Sequence, residues 1–344
     1  MSEPLGGRNI FREGNVVDIR VRPLAIGDSE GDCRMSEEFL AGDCVAVARR
    51  ACGIRGYAFG HEVSKVLLDE INASREVDYA VFLATDGVYR NDRFVANESH
   101  LVIPNTYVMG IARRNRHVLF GASVHPYRGM KAMMAETERC ISEGAVLFNW
   151  VPSIQRIDPE DSRCIPFYIR IAQEGVPLLC HTGQPFAALK SEYANMHCND
   201  PRKLRRALDI GVTVIVSHRG SDFGGESQAT DGYEGDLLEM LRAADKNGWD
   251  LYADVSSLFA SPGKASFERV RELISRGDMS TSRFLFGSGL PLEGHDSGSS
   301  GEENLFDRNY RVLKDTGIPE AVITRAGNIL RLRPSHERIA AVKA

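Results

Sequence analysis

The chain has 344 residues, of which 43% are hydrophobic and 26% charged, with 42 Lys and Arg against 47 Asp and Glu. This composition is typical of a globular protein and excludes the collagen-like, disordered and membrane-spanning classes. The formal net charge of -5 offers no basic surface of the kind that a phosphate backbone requires, so we expect no nucleic-acid partner.

The amino-terminal segment and the cysteines bear on the compartment. Residues 1–21 carry charges throughout and lack an apolar core of signal-peptide length, and no later stretch approaches the ~20 apolar residues of a membrane span. The seven cysteines form an odd number without CxxC pairs, which predicts free thiols rather than a disulfide framework or a zinc knuckle. We therefore expect a cytoplasmic protein without a membrane partner.

Eight short and nearly continuous apolar segments follow one another along the chain, as parallel strands buried on both faces require. They lie at residues 15–23, 78–87, 117–126, 144–153, 176–183, 212–220, 251–259 and 283–291. Segments with apolar residues at helical spacing lie between them, at residues 130–142, 164–173, 200–208, 235–247 and 266–276. Eight strands joined by helices predict an α/β fold, a (β/α)8 TIM barrel, with residues 1–344 forming one domain.

The remaining segments extend this barrel. The long interval from residue 22 to residue 77 predicts an enlarged first βα loop with helical pieces, which forms a wall or a lid. Residues from about 302 to 335 predict closing helices, with residues 327–330 packing back on the barrel. The sequence SGSSG at 297–301 predicts a mobile loop after the eighth strand.

Polar residues at the carboxyl ends of barrel strands share one cup, where active sites of this fold lie. In chain order these residues are Asp18, Arg20, Arg22, Asp86, His125, Asn149, His181, His218, Arg219, Asp254 and Ser288.

With these residues the chain resembles the amidohydrolase superfamily, in particular its amidohydrolase-related, metal-dependent barrels. The resemblance covers nearly the whole chain and rests on the order and spacing of several short runs. These are ASVHPYRG (122–129), residues 151–168, PLLCHTG with His181, VIVSHRG with His218, YADVSS (252–257), FGSGLP (286–291) and the terminal GNILRL. The resemblance implies a hydrolase, lactonase or decarboxylase of small carboxylated substrates, and relatives often form homodimers.

Three positions depart from the family pattern. The first strand of such enzymes ends in Asp-x-His-x-His, whose histidines bind a divalent metal, whereas this chain has Arg20 and Arg22 there. Asn149 stands where some members carry a bridging lysine, and Gly289 stands in place of the aspartate of the eighth strand.

Of the metal-binding positions only His181 and His218 remain, and two imidazoles are a poor site for a catalytic zinc. Guanidinium groups cannot become ligands and would repel a cation. The sequence therefore predicts no metal and no other cofactor. The remaining alternative is a divalent metal held by His181 and His218 together with Asp254 or Glu293.

Arg20 and Arg22 are spaced by two on one strand and should share a face. One interpretation is that they pair with neighbouring aspartates and fill an inactive site. The other is that they replace the metal by gripping a carboxylate or stabilising an oxyanion. Arg219 would add a third cation, which favours a small anionic ligand as the partner.

His181, His218 and Asp254 are the candidate catalytic residues, because histidines and a carboxylate at strand ends can move protons. In the alternative interpretation the histidines are held by the backbone and Asp254 neutralises an arginine. Asn149, Ser288 and His125 complete the predicted substrate-binding wall. Cys180 should face away from His181, since adjacent strand residues point to opposite faces.

The leading hypothesis is a metal-independent hydrolase that cleaves an amide, ester or lactone bond of a small carboxylate-bearing metabolite. A catalytically inactive barrel that serves as a ligand-binding or partner subunit is the main alternative. A decarboxylase of the same fold and a metalloenzyme with relocated ligands are the others.

Overall fold

The computed structural model describes residues 14–27, 32–54, 59–183, 195–219, 236–256, 281–292, 303–315 and 317–330, without the side chains of residues 59–61, 218, 219 and 236. Its strands are β1 (Val17–Val21), β2 (Arg34–Met35), β3 (Tyr79–Leu83), β4 (Tyr89–Arg90), β5 (Arg93–Phe94), β6 (Leu101–Val102), β7 (Val118–Ala122), β8 (Leu147–Trp150), β9 (Leu178–Gly183), β10 (Val214–Arg219), β11 (Leu251–Asp254) and β12 (Phe284–Leu285). Its helices are α1 (Glu37–Leu40), α2 (Asp43–Ala51), α3 (Phe59–Ala73), α4 (Asn105–Arg114), α5 (Met130–Ser142), α6 (Pro152–Gln155), α7 (Ile165–Glu174), α8 (Arg205–Ile210), α9 (Asp236–Asn247), α10 (Leu305–Asp315), α11 (Glu320–Thr324) and α12 (Ala326–Ile329).

The main sheet has eight parallel strands in the order β1-β3-β7-β8-β9-β10-β11-β12. Each of them lies within one of the eight predicted segments. The first strand and the residue after it meet the segment that follows the last strand through backbone hydrogen bonds, from Ile19 N–H to the Phe286 oxygen (3.1 Å) and from Arg22 N–H to the Leu290 oxygen (2.8 Å). The sheet thus closes on itself, and the predicted (β/α)8 barrel is confirmed.

The barrel interior has an apolar layer whose buried members come from seven of the eight strands, and the half-buried Tyr252 of the eighth, β11, packs against it. Its buried members on the strands are Val17, Ile19, Val81, Leu83, Leu119, Leu147, Leu179, Ile215 and Leu285. Ala326 and Leu330, from α12 and the residue after it, belong to the same cluster, so residues 326–330 pack against the barrel interior. The alternate strand residues form a second cluster with the surrounding helices.

Close packing in this layer explains a glycine on β7. A Cβ atom at Gly121 would lie 2.6 Å from Leu83 Cδ2 and 3.0 Å from Val81 Cγ1. Two positions before it, Leu119 belongs to the same interior layer. The large side chains of neighbouring strands therefore fill the space that a side chain at residue 121 would need.

The helices follow the predicted apolar periodicity. Helix α5 spans the predicted residues 130–142. Helix α7 is followed by Gly175, which adopts a left-handed φ of 62°. The segment predicted at 200–208 begins as a 3₁₀ turn, whose Arg202 N–H is capped by the side chain of Asp200, and continues as α8. The helix predicted at 266–276 and the loop at 297–301 lie outside the described residues.

Three helices and β2 occupy the interval between β1 and β3, which confirms an enlarged first βα loop. Strand β2 pairs with β6, antiparallel, beside the mouth of the barrel. None of the seven cysteines forms a disulfide bond. Among the described residues, no helix combines the length and apolar character that a membrane crossing needs.

Candidate functional site

A β-bulge in β1 sets the direction of the first site residue. The register of β1 against β3 shifts between Asp18 and Val21. As a result Val17 and Ile19 belong to the interior layer, whereas Val21 belongs to the outer cluster. Strict alternation, on which the sequence prediction depended, does not hold through this segment.

After the bulge, the side chain of Arg20 lies inside the barrel and is 1% exposed. Its Nη1 donates to Ser256 Oγ, and its Nη2 lies 3.5 Å from His181 Nδ1. Its Nε lies 3.9 Å from Asp254 Oδ2, and the two side chains form a buried ion pair. Arg20 thus joins the carboxyl ends of β1, β9 and β11, and the predicted proximity of Arg20, His181 and Asp254 is observed.

The carboxylate of Asp254 is held by the turn that follows β11. Its Oδ1 accepts hydrogen bonds from the backbone N–H of Ser256 (3.0 Å) and from Ser256 Oγ (2.5 Å). This arrangement fixes the carboxylate that faces the guanidinium. Asp254 is therefore held in a position in which it pairs with Arg20.

The contact with Arg20 selects a tautomer of His181. A guanidinium group can only donate, so Nδ1 of His181 has to accept, and the ring hydrogen is on Nε2. A neutral His181 in this tautomer presents an N–H donor through Nε2. Cys180 belongs to the outer cluster, on the opposite face, as predicted.

Two further polar side chains lie one step above the interior apolar layer. Asn149 and Ser217 follow Leu147 and Ile215 by two positions and so share their face of the strands. Asn149 Nδ2 donates to the Ala84 oxygen (2.8 Å), whereas Asn149 Oδ1 and Ser217 Oγ are buried without a hydrogen-bond partner among the described residues. Buried polar atoms of this kind are normally satisfied by water or a ligand.

Ser288 and Asp18 lie at the seam between the last and first strands. Asp18 Oδ1 accepts hydrogen bonds from the backbone N–H of Ser288 (2.9 Å) and of Arg20 (3.1 Å). The hydroxyl of Ser288 accepts the N–H of Leu290 (3.1 Å). Burial raises the pKa of Asp18 to about 6 against these hydrogen bonds, and the charge of Asp254 acts in the same direction as burial.

His125 is bound by the backbone through both ring nitrogens. Its Nε2 donates to the Gln155 oxygen (2.8 Å), and its Nδ1 accepts the N–H of Tyr127 (3.1 Å). Burial lowers its pKa to about 3, so the ring is neutral. His125 shapes the wall of the cup, and its ring nitrogens are already engaged within the protein.

Asp86 belongs to a different part of the mouth. Its Oδ2 accepts from the N–H of His125 (2.9 Å) and pairs with Arg128 Nη1 (3.1 Å). Together with Tyr89, these two charged residues line an open cleft of about 680 Å³ beside β3 and β7. Asp86 therefore pairs with Arg128, a partner that its place in the sequence does not predict.

The remaining predicted residues lie at the ends of β1 and β10 and after the eighth strand. The side chain of Arg22 is buried, with 2% of the residue exposed. In β10 the backbones of His218 and Arg219 pair with Thr182 and Gly183 of β9. The side chains of His218 and Arg219, and the whole of Glu293, lie outside the described residues.

The donor set of Arg20, His181 and Asp254 does not fit a divalent metal. The guanidinium already stands between His181 Nδ1 and the carboxylate of Asp254, the two groups that a metal would have to bind. Two cations at this point would repel each other, and arginine cannot lose its proton. Among the described residues, no group of three or more His, Cys, Asp or Glu side chains is placed to hold a metal ion.

Sequence reasoning missed three contributors to this site. Ser217 follows the interior residue Ile215 by two positions, and Ser256 follows the predicted site residue Asp254 by two. Counting that spacing would have placed both inside the barrel. Gly287 lies across the seam, where a Cβ atom would be 3.2 Å from Arg20 Cβ and 3.3 Å from Asp254 Cβ. A glycine at this position leaves the space in which Arg20 and Asp254 meet.

The chain is similar to known proteins in its three-dimensional structure. No family model and no curated protein matches the chain. Solved structures of other barrels, by contrast, resemble it over more than nine tenths of its length, as three of them illustrate.

An uncharacterised TIM-barrel protein from Bordetella bronchiseptica is 19% identical, with a TM-score of 0.53 over 95% of this chain and 98% of that one. A putative 2-pyrone-4,6-dicarboxylic acid hydrolase from Pseudomonas putida is 13% identical, with a TM-score of 0.54 over 92% and 97%. A 2,6-dihydroxybenzoate decarboxylase in complex with 2,6-dihydroxybenzoate is 13% identical, with a TM-score of 0.56 over 92% and 99%. At these identities the likeness is one of fold: the chain is an α/β TIM barrel, similar to barrels that include a hydrolase and a decarboxylase.

Proposed function

We propose that this protein is a hydrolase that cleaves an amide, ester or lactone bond of a small carboxylate-bearing metabolite without a metal ion. The observation that carries the proposal is the position of the Arg20 guanidinium, which contacts Ser256 and lies next to both His181 and Asp254 inside the barrel. A fixed positive charge at the strand ends can stabilise the oxyanion that forms when water adds to a carbonyl.

In this proposal each polar group has a separate task. Arg22 and Arg219 bind the carboxylate of the substrate, because guanidinium groups bind carboxylates through two hydrogen bonds. The Nε2–H of His181 donates to the carbonyl oxygen. His218 takes a proton from the attacking water and returns it to the leaving nitrogen or oxygen when the bond breaks.

The remaining predicted residues support these groups. Asp254 holds Arg20 in place through the ion pair and accepts from Ser256. Asn149 Oδ1 is a buried acceptor in the polar layer, and Ser288 places its hydroxyl at the seam. His125 forms part of the wall. A substrate with a ring and carboxylates, as the names of two similar barrels suggest, suits such a cup.

The test is a hydrolysis screen with carboxylated lactones, esters and amides, including 2-pyrone-4,6-dicarboxylate. Chelator-treated protein of measured metal content should retain full activity. His181→Gln should lower kcat by about 100-fold or more, as expected for loss of a group that acts in the transition state. His117→Gln is the matched control, since His117 bonds to the Asp78 oxygen near the amino-terminal ends of the strands.

The opposite result would be about one tightly bound divalent metal per chain, lost in His181→Ala, with activity that returns only when the metal is added. That outcome would replace the proposal with a metalloenzyme. Release of CO₂ from a dihydroxybenzoate in the same screen would favour the decarboxylase, which one similar structure suggests.

A second function is favoured by the burial of the Arg20–Asp254 pair, whose side chains are 1% and 0% exposed. A buried ion pair can fill the site of an inactive barrel that binds a ligand without converting it. In that case, calorimetric titration with small dicarboxylates would show binding, and no substrate of the screen would be turned over.

A further inference from the structure

We propose that Asp18 is a positioning residue of this site, whose carboxylate builds the bulge that directs Arg20 into the barrel. The role of Arg20 in catalysis rests on the proposed function, whereas the effect of Asp18 on its position does not. The backbone hydrogen bonds around the seam between β1 and β12 support this role.

The backbone N–H of Arg20 takes no part in the hydrogen bonds that cross the seam between β1 and the segment after β12. Ile19 N–H donates to the Phe286 oxygen and Arg22 N–H to the Leu290 oxygen, while the Arg20 oxygen accepts from Gly289 N–H. The N–H of Arg20 instead donates to Asp18 Oδ1, two residues earlier, at 3.1 Å. An aspartate that bonds to the backbone two residues on replaces a ladder hydrogen bond, and a buried N–H needs such an acceptor.

The same oxygen also holds the other side of the seam. Asp18 Oδ1 accepts from the N–H of Ser288 at 2.9 Å, in the segment that follows β12. Ser288 adjoins Gly287, the residue whose missing Cβ leaves room for Arg20 and Asp254. One carboxylate oxygen therefore fixes the backbone on both sides of the Arg20 side chain.

The surroundings of Asp18 do not favour a charged carboxylate, so filling space does not explain why an aspartate stands at this position. Asp18 is fully buried, its Oδ2 has no hydrogen-bond partner among the described residues, and Asp254 adds a like charge nearby. A buried carboxylate is costly, and its two backbone hydrogen bonds are what an apolar residue could not supply.

The test compares Asp18→Asn with Asp18→Ala. Asparagine keeps an acceptor oxygen and should leave Arg20 in contact with Ser256 and His181. Alanine removes the acceptor, so crystal structures should show the register of β1 restored and Arg20 displaced. In ¹⁵N spectra the Nδ1 signal of His181 should change in Asp18→Ala alone.

Once a substrate is known, kcat of Asp18→Ala should fall about 100-fold, the size expected for a misplaced catalytic group, while Asp18→Asn stays near the wild type. An Asp18→Ala structure in which Arg20 keeps both contacts would overturn the proposal. If Arg20 is displaced in Asp18→Ala while kcat is unchanged, the inference stands and the catalytic role of Arg20 in the proposed hydrolase does not.

Should Asp18→Ala fail to fold, the amide protons of Arg20 and Ser288 give the answer in the intact protein. Both resonances should move together in the wild type as the pH passes through about 6, because both are bonded to the same carboxylate. Neither should move in Asp18→Asn. A wild type in which only one of the two resonances moves as this carboxyl titrates would contradict the proposal.

Discussion

The guanidinium of Arg20 faces the carboxylate of Asp254 inside the barrel, with 3.9 Å between Nε and Oδ2. Neither side chain exposes more than 1% of its surface. Taking two charges out of water is costly, and their mutual attraction offsets that cost only while both are present. Removing one partner should therefore be more harmful than removing both.

We expect Arg20→Met and Asp254→Leu each to lower the free energy of unfolding by about 3–5 kcal/mol, because each leaves an uncompensated buried charge. The double variant should lose clearly less free energy of unfolding than the two single variants lose together. Urea unfolding of the four proteins measures this coupling. The exposed pair of Arg90 and Glu98 is the control, where Arg90→Met should cost less than about 1 kcal/mol. Additive losses at Arg20 and Asp254 would contradict the pairing.

Gly287→Ala should displace Arg20 and lower stability by about 1–3 kcal/mol, as overpacking of an interior does. The added Cβ would stand 3.2 Å from both Arg20 Cβ and Ile19 Cγ1. Gly327→Ala is the matched control, since no atom lies within 4 Å of its Cβ position and the residue is in helix α12. That change should leave stability unaltered or raise it by up to about 1 kcal/mol. Equal effects of the two substitutions would argue against a crowded seam.

Acid should destabilise the protein through His125. The pKa of His125 is lowered to about 3 in the folded state against 6.5 in the unfolded chain, so the unfolded chain binds the extra proton between these values. The stability contributed by neutral His125 is present above pH 6.5 and falls by about 1.4 kcal/mol per pH unit below it. Urea unfolding at pH 7, 6 and 5 should show the stability of the wild type falling relative to that of His125→Gln, a difference that isolates His125 from other groups that titrate in this range.

Asp18 contributes in the opposite direction. Because its folded pKa is raised from 3.8 to about 6, the folded state favours the protonated form, and stability from this group is lost as the pH rises through about 6. Asp18→Asn should therefore make the acid decline caused by His125 steeper between pH 6 and 4. A slope that Asp18→Asn leaves unchanged would mean that this carboxyl titrates normally.

The thiols provide an independent check of the fold. Burial raises the pKa of Cys52 to about 12 and of Cys198 to about 11, and it raises the pKa of Cys140, Cys164 and Cys180 as well. Since the thiolate is the reactive form, Ellman's reagent at pH 8 should react slowly or not at all with the native protein. In denaturant without reductant it should titrate all seven cysteines. A smaller number would indicate a disulfide bond.

The fold could be predicted from the sequence because the barrel strands are largely buried on both faces, which leaves eight short and nearly continuous apolar runs with helical segments between them. The sequence also predicts which strand ends meet, as the contacts of Arg20 with His181 and Asp254 show. It does not predict the bulge in β1, because a period of two residues contains no signal for one unpaired residue. Asp18 therefore looked like a partner for an arginine side chain, whereas its hydrogen bonds go to backbone N–H groups.

The roles of His125 and Asp86 depend on neighbouring groups that the sequence does not reveal. His125 has the same side chain as His181, yet its two backbone partners and its burial keep it neutral and engaged. Asp86 and Asp254 both stand at strand ends and both pair with an arginine. The partner of Asp254 is Arg20 of another strand, whereas the partner of Asp86 is Arg128, in the segment between β7 and α5. Such local partners come from loops, whose course in space the order of residues does not reveal.

The seam that closes the barrel joins Ile19 to Phe286 and Arg22 to Leu290, from opposite ends of the sequence. While the chain is being synthesised, β1 can pair with β3 early, but its other edge stays open until the last strand has left the ribosome. An unpaired edge is prone to join another chain, and contacts so distant in sequence form slowly. The Arg20 site thus comes into existence only at that final step, when the first strand meets the segment after the last one.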